Sequence, residues 1–259
     1  MTIFLRPFIS VSMARSFTYL VCFLLVFTGC KKDKKSENPI PDSPVENSLT
    51  VHLSYLVDAN PLHFEQTEYI SAANYPYSVS KLNYYLSQLS LIKSDSSLLV
   101  LKNYHYADAA IPETNTFQLG SIPAGHYVGF TCNIGLDSNQ NKSNSLAATN
   151  DNINMQWPEP MGGGYHFLKL EGYFTDSTKT YGYAMHLGTK ACLVKIKLLK
   201  ALVVKESGNT DLKLSMDLAE WFKNPNTFDF VKDGNYIMGN AIAMKKVTDN
   251  GKDVFKLLP

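Results

Sequence analysis

Residues 155–188 read MQWPEPMGGGYHFLKLEGYFTDSTKTYGYAMHLG, a stretch that predicts an irregular loop leading into a β-hairpin. Proline lacks the N–H that a strand ladder needs, and glycine loses the most conformational entropy on ordering. The opening run, with two prolines and three consecutive glycines, is therefore not a regular strand. Tyr165–Tyr173 and Tyr181–Leu187 are aromatic and apolar runs on either side of the polar residues 175–179, which is a hairpin pattern. Binding sites often lie on such loops.

The same stretch concentrates side chains that bind soft metals. It contains one of the two tryptophans and two of the six histidines of the chain, together with three methionines: Trp157, His166, His186, Met155, Met161 and Met185. Imidazole and thioether groups suit Cu(I), although methionine is also a common core residue and a strand histidine is often only hydrogen-bonded. A hairpin loop with an odd number of residues places His166 and His186 on the same face, and an even loop places them on opposite faces. The sequence leaves the loop length open.

The remainder of the chain predicts an all-β fold, an antiparallel β-sandwich or barrel-like domain with one or two short helices. Tyr77–Ile92 combines helical spacing with alternation, which we interpret as a short turn of helix entering a strand. We interpret Asp137–Asn154 as a solvated connection and Ala241–Val247 as a helix. The other predicted strands are Thr50–Val57, Leu98–Tyr106, Thr116–Leu119, His126–Leu136 and a strand pair formed by Ala191–Lys205 and Asp211–Leu218.

The first residues predict export and lipid anchoring. Arg15 precedes an apolar run of eleven residues, Phe17–Phe27, which is shorter than the about 20 residues that span a bilayer. Cys30 follows Thr28-Gly29 as in a bacterial lipobox, so residues 1–29 are predicted to be a lipoprotein signal peptide and Cys30 the lipidated residue. An ordinary signal cut nearby is the alternative. Residues 30–48 are predicted to be a disordered tether and residues 49–259 the folded domain. The expected location is the periplasm or cell surface, on a bacterial membrane, with the outer membrane favoured.

Composition narrows the function classes. The predicted signal peptide carries both arginines of the chain, so every cation of the mature part is a lysine and nucleic acid is not expected as a partner. No hydrolase elbow, phosphate loop or zinc-protease helix is present, so we do not expect an enzyme. Cys132 and Cys192 are predicted either to form a disulfide or to be two separate buried thiols.

Five segments in order resemble the MbnP-like domain family: YSVSKLNYYLS at 77–87, IPAG at 122–125, IGLD at 134–137, GYHFLKLEG at 164–172 and HLG at 186–188. This family consists of exported copper-binding proteins and is named for a member encoded beside methanobactin genes. The resemblance implies a mostly β domain that binds copper, expected as Cu(I), and holds no haem of its own. It also implies a partner, a MauG-like di-haem peroxidase that oxidises a tryptophan to kynurenine near the copper.

The resemblance assigns roles to particular residues. Trp157 stands where the family has its tryptophan motif, and His186 is the histidine of the family's His-Leu-Gly. His166 stands where many relatives have an apolar residue; it and the nearby Met155 and Met161 are candidate ligands by their own imidazole and thioether chemistry. The family often has a histidine on its first strand, at the place that Tyr55 occupies in this chain; His52, on the opposite parity of that strand, is the candidate ligand there. The alternative hypothesis is a surface β-sandwich that binds a glycan or a protein partner through aromatic loops, without metal.

Overall fold

A computed structural model describes residues 47–259, which lie within one compact unit. The predicted signal peptide, Cys30 and the predicted tether up to residue 46 lie outside the described residues, and they stay predictions. In the described part of the chain, no helix is both long enough and apolar enough to cross a membrane.

Strands dominate the described residues, in the order β1 (Ser48–Val57), β2 (Asn60–Pro61), β3 (Tyr69–Ile70), β4 (Pro76–Ile92), β5 (Leu98–Asp108), β6 (Thr116–Ser121), β7 (Gly125–Tyr127), β8 (Gly129–Ile134), β9 (His166–Asp176), β10 (Lys179–Gly188), β11 (Val194–Leu198), β12 (Leu202–Val204), β13 (Asn209–Asp217) and β14 (Phe255–Leu257). The α-helices are α1 (Asn150–Asn154) and α2 (Ala241–Asn250). Short 3₁₀ turns lie at Pro112–Thr114, Glu159–Met161, Lys190–Cys192, Leu218–Phe222 and Gly251–Asp253.

Two main sheets share one hydrophobic core, which confirms the predicted all-β fold. The seven-stranded sheet has the order β10-β9-β4-β8-β11, with β3 and β5 also paired to β4. The five-stranded sheet has the order β14-β13-β1-β2, with β6 also paired to β1, and β12 and β7 form a separate pair. Tyr84 of β4 joins the two sheets, since its hydroxyl lies 3.0 Å from that of Tyr55 on β1.

Strand β4 is the centre of the larger sheet, and the predicted turn of helix at its start is wrong. The strand is continuous, and it pairs with β9 along its first half and with β8 along its second. Both faces of β4 are buried, so apolar residues fall at nearly every position and satisfy a helical spacing by coincidence.

The predicted pairing of Ala191–Lys205 with Asp211–Leu218 is also wrong. Strand β11 pairs with β8, and β12 pairs with β7. Strand β13 instead runs parallel to β1, so that Leu53 lies opposite Leu214. A parallel pair between the two ends of a domain leaves no local signal, unlike a hairpin.

Residues 137–165, which we call the cover segment, lie over the face of β4 that carries Tyr85. The Tyr85 hydroxyl donates to Asn152 Oδ1 of α1 at 2.6 Å. The Tyr165 ring lies 6.2 Å from the Tyr85 ring, and the Tyr165 hydroxyl accepts from the Leu146 backbone N–H at 3.0 Å. The solvated connection predicted here therefore contains a helix and closes one face of the larger sheet.

The two cysteines of the described residues are free and buried, so of the two alternatives the separate thiols are correct. Cys132 lies on β8, where burial raises its thiol pKa to about 12. Cys192 ends the 3₁₀ turn that precedes β11.

Candidate metal centre

His166 and His186 lie together at the base of the β9–β10 hairpin. Asp176 pairs with Lys179, which leaves a turn of two residues, and an even loop alone would place the two histidines on opposite faces. However, the register shifts after Leu187 pairs with Leu168, and Gly188 lies opposite His166. This β-bulge brings His166 onto the face of His186. The two imidazole centroids are 5.0 Å apart, at an interplanar angle of 90°.

One nitrogen of each imidazole has a hydrogen-bond partner. His166 Nδ1 lies 3.2 Å from the Met155 carbonyl oxygen, which can only accept, so this nitrogen carries the proton. His186 Nε2 lies 2.9 Å from Glu171 Oε1. Metal-binding histidines are typically oriented in this way, by a carbonyl or a carboxylate on the nitrogen that does not bind the metal. The His166 Nε2 and His186 Nδ1 lone pairs are the two that remain for a metal.

The protonation states of two groups at the pair, the Glu171 carboxyl and the His166 imidazole, follow from hydrogen bonding and from burial. The hydrogen bond from His186, with a further contribution from Lys81 at 3.1 Å, lowers the pKa of the Glu171 carboxyl to about 2. Glu171 is therefore ionised at neutral pH and accepts the proton of His186 Nε2. Burial lowers the pKa of His166 to about 4. His166 is neutral at pH 7, which is the form that binds metals.

Trp157 packs against the pair through a site shaped by glycine. Its ring centroid lies 4.8 Å from that of His166, and its side chain is 3% exposed. A Cβ at Gly188 would lie 2.3 Å from Trp157 Cε3, so only glycine at position 188 admits the ring. The indole Nε1 donates to the Met161 carbonyl at 3.1 Å, and the Trp157 backbone N–H donates to Gly164 at 2.9 Å.

The three consecutive glycines allow the end of the cover segment to pack against its own start, next to Trp157. The Gly164 backbone N–H donates to Ser143 Oγ at 3.0 Å, and Gly164 has a φ of +85°. A Cβ at this position would also lie 2.4 Å from Asn141 Oδ1. Close approach and left-handed backbone together require glycine here, and the resulting turn fixes the start of β9.

A polar row crosses the sheet from the histidine pair. Lys169 lies directly opposite His186 on one side and Asn83 on the other, and Asn83 lies opposite Asp108. Residues in register share a face of a sheet. The row lines a cleft of about 540 Å³ that also contains Met155 and Asp151. A polar approach from solvent therefore lies next to the pair.

The structure brings some of the sequence-predicted candidates together and leaves others apart. His166, His186 and Trp157 form one cluster, which Met155 joins through its carbonyl oxygen. Met161 extends toward Gly239, where its Cε lies 3.3 Å from the position of a Cβ. His52 lies in the other sheet, 3.0 Å from Asp211. Within residues 47–259, no three histidine, cysteine, aspartate or glutamate side chains are arranged to hold a metal.

Sequence reasoning missed Glu171 as the partner of His186. Its signal was present, since Glu171 stands in the quoted GYHFLKLEG segment on the strand that forms the hairpin with His186. What the sequence did not show was the register, which places Glu171 opposite Ala184 and therefore diagonal to His186.

A pair of adjacent histidines, His166 buried and His186 partly exposed, lies beside a tryptophan on a mostly antiparallel β-sandwich and defines this chain as a candidate metal-binding β-domain. The family model described as MbnP matches residues 46–239, most of the chain, and the chain belongs to this family. The structure of MbnP from Methylosinus trichosporium is similar, with a TM-score of 0.52 and 11% identity over 81% of this chain and 97% of that one. At this identity the likeness shows a shared fold. No curated protein matches the chain.

Proposed function

We propose that this chain is an exported, lipid-anchored protein that binds copper as Cu(I) at His166 and His186 and has no catalytic activity of its own. The observation that carries the proposal is the pair itself, with imidazole centroids 5.0 Å apart and one nitrogen of each ring already bonded. Imidazole is a suitable ligand for cuprous copper.

Trp157 is the residue we propose to be oxidised to kynurenine by a MauG-like di-haem peroxidase. Support comes from its ring, which contacts His166 at a centroid distance of 4.8 Å. The other tryptophan, Trp221, is fully buried and packs against Gly251. Peptide mass measurement after reaction with the partner enzyme and peroxide should show kynurenine at 157 and unmodified tryptophan at 221. Equal modification of both residues would argue against a specific site.

The copper site is tested by competitive Cu(I) titration of the full-length chain in detergent. His186→Ala and His166→Ala should each abolish tight binding of one copper. His52→Ala is the matched control, since His52 is also a strand histidine bonded to a carboxylate, at 3.0 Å from Asp211. This control should bind as the native chain does. Loss of copper in His52→Ala with retention in His186→Ala would refute the site.

The surface of the hairpin supports a second candidate function, the binding of a glycan without metal. Tyr173 and Tyr236 are 49% and 65% exposed. Tyr173 lies opposite Gly182 in the register, and the Tyr236 hydroxyl lies 2.8 Å from the position of a Cβ at Gly182. Exposed tyrosine rings offer apolar faces with a polar tip. Glycan binding that is lost in Tyr173→Ala and Tyr236→Ala and is unchanged by copper would favour this function.

A further inference from the structure

Trp157 also forms part of the wall of a groove that neither histidine of the pair lines. The groove has a volume of about 690 Å³ and runs between the 3₁₀ turn Lys190–Cys192 and helix α2. Three of its lining residues carry sulfur: Met161, Cys192 and Met244. The volume is in the range of small-ligand sites, and the sulfur atoms give this one a definite chemistry.

Each of the three sulfur-containing residues belongs to a different element of the fold. Cys192 is held by its backbone N–H, which donates to the Thr189 carbonyl at 3.0 Å. Met244 lies in the first turn of α2, where its backbone N–H donates to the carbonyl of the capping residue Asn240 at 2.9 Å. Met161 extends its ε-methyl to Gly239, directly before that cap. Residues of the cover segment, a 3₁₀ turn and a helix thus supply the three sulfur side chains that line the groove.

The charges in the groove do not favour a hard cation. Lys245 and Asp249 line it, and their side chains bond to each other at 2.5 Å. The rest of the wall is small and largely apolar, with residues such as Ala191 and Ala241. Hard divalent cations prefer several oxygen ligands, whereas thiolate and thioether ligands select soft ions.

We propose that this groove binds a soft monovalent metal ion, Cu(I) or Ag(I), through the Cys192 thiolate and the thioethers of Met161 and Met244. Binding replaces the thiol proton: the Cys192 S–H bond breaks, a sulfur–metal bond forms and one proton is released. Methionine has three rotatable bonds, so both thioethers can close on an ion held by the thiolate. The site shares no donor with the His166–His186 pair and does not depend on copper binding there.

The proposal is tested with Ag(I), which is soft and does not cycle between oxidation states under these conditions, on the full-length chain in detergent. Bound silver is measured after equilibrium dialysis against a competing thioether ligand, for the native chain and for Cys192→Ser. Cys132→Ser is the matched control, because Cys132 is a buried thiol on β8 that does not line the groove. Cys192→Ser should lose one equivalent of silver, and Cys132→Ser should lose none.

Two further measurements locate the ion and keep the proposal open to refutation if Cys192→Ser folds poorly. Met161→Leu/Met244→Leu preserves side-chain volume and should weaken silver binding by more than the 10-fold to 100-fold typical of an outer-shell change. In the His166→Ala/His186→Ala background, which removes the histidine pair, silver should still quench the fluorescence of Trp157 in the wall of the groove, and adding Met161→Leu/Met244→Leu should weaken the quenching. Unchanged silver binding in Cys192→Ser, undiminished affinity in Met161→Leu/Met244→Leu, or undiminished quenching when Met161→Leu/Met244→Leu is added to His166→Ala/His186→Ala would each overturn the assignment.

Discussion

Gly188→Ala should destabilise the domain through one identifiable collision. The new Cβ would lie 2.3, 2.6 and 2.7 Å from three atoms of the Trp157 ring, whereas ordinary contact begins near 3.4 Å. The ring must therefore move by about 1 Å. The φ angle of Gly188 is not positive, so an alanine can adopt this backbone conformation. The collision with the ring, rather than backbone strain, therefore determines the loss of stability.

The cost follows from what holds the ring in place. Overpacking of a core costs about 1–3 kcal/mol, and a shift of this size breaks the Nε1 bond to the Met161 carbonyl, which adds about 1 kcal/mol. We expect the free energy of unfolding to fall by about 2–4 kcal/mol. For a domain of this size that lowers Tm by roughly 4–16 °C, measured by circular dichroism and by urea titration.

A double-mutant cycle with Trp157→Ala isolates the collision. In that background the methyl group enters the space left by the ring, and Gly188→Ala should cost less than about 1 kcal/mol. Gly182→Ala on the same strand is the control, since its nearest contact is the hydroxyl of the exposed Tyr236. An equal cost for Gly188→Ala in both backgrounds would refute the packing of Trp157 on Gly188.

Three further predictions concern the support of the site. The pKa of Glu171 is about 2, below the ordinary 4.5, so the stability that its ionised form contributes is present above about pH 4.5 and lost as the pH falls toward 2. Urea titrations over this range should show a weaker pH dependence for Glu171→Gln, and an unchanged pH dependence would contradict the ion pair. Asn250→Ala removes a fully buried amide that bonds two backbone carbonyls, at 2.9 and 2.8 Å. This substitution should lower the free energy of unfolding by about 1–3 kcal/mol, measured by chemical denaturation, and leave Cu(I) affinity unchanged, whereas a loss of affinity would place the end of α2 in the site. Tyr85→Phe deletes the 2.6 Å bond to Asn152 and should speed amide hydrogen exchange in the cover segment more than in β13; uniform acceleration would indicate global destabilisation instead.

Local sequence patterns predicted most of the secondary structure correctly. They failed where a strand pairs with another strand that is distant in sequence. The hairpin around residues 175–179 and the C-terminal helix were predicted because turn residues and amphipathic spacing act within a few positions. The error at Tyr77–Ile92 arose because a strand buried on both faces has no alternation. The parallel pairing of β1 with β13 joins segments too far apart for any local pattern to indicate.

The candidate site was likewise predictable in part: the sequence indicated its residues but not the contacts between them. Residue types predicted its members, since His166, His186 and Trp157 do form one cluster. Residue types could not predict its partners: Glu171 reaches His186 through the strand register. Residue types also could not show that Met161 lies away from the histidine pair, which is near it in sequence. In the structure Met161 lines the groove with Cys192.

The β-bulge at the base of the hairpin decides whether these residues form a site at all. A two-residue turn followed by regular pairing would leave His166 facing away from His186. The extra residue reverses the face of His166, and the same shift places Gly188 opposite it, where the absence of a side chain admits the Trp157 ring. One irregularity therefore creates both the histidine pair and the space for the tryptophan beside it. Bulges next to functional sites commonly re-aim a side chain in this way, which explains why two histidines of equal parity across an even turn can still lie side by side.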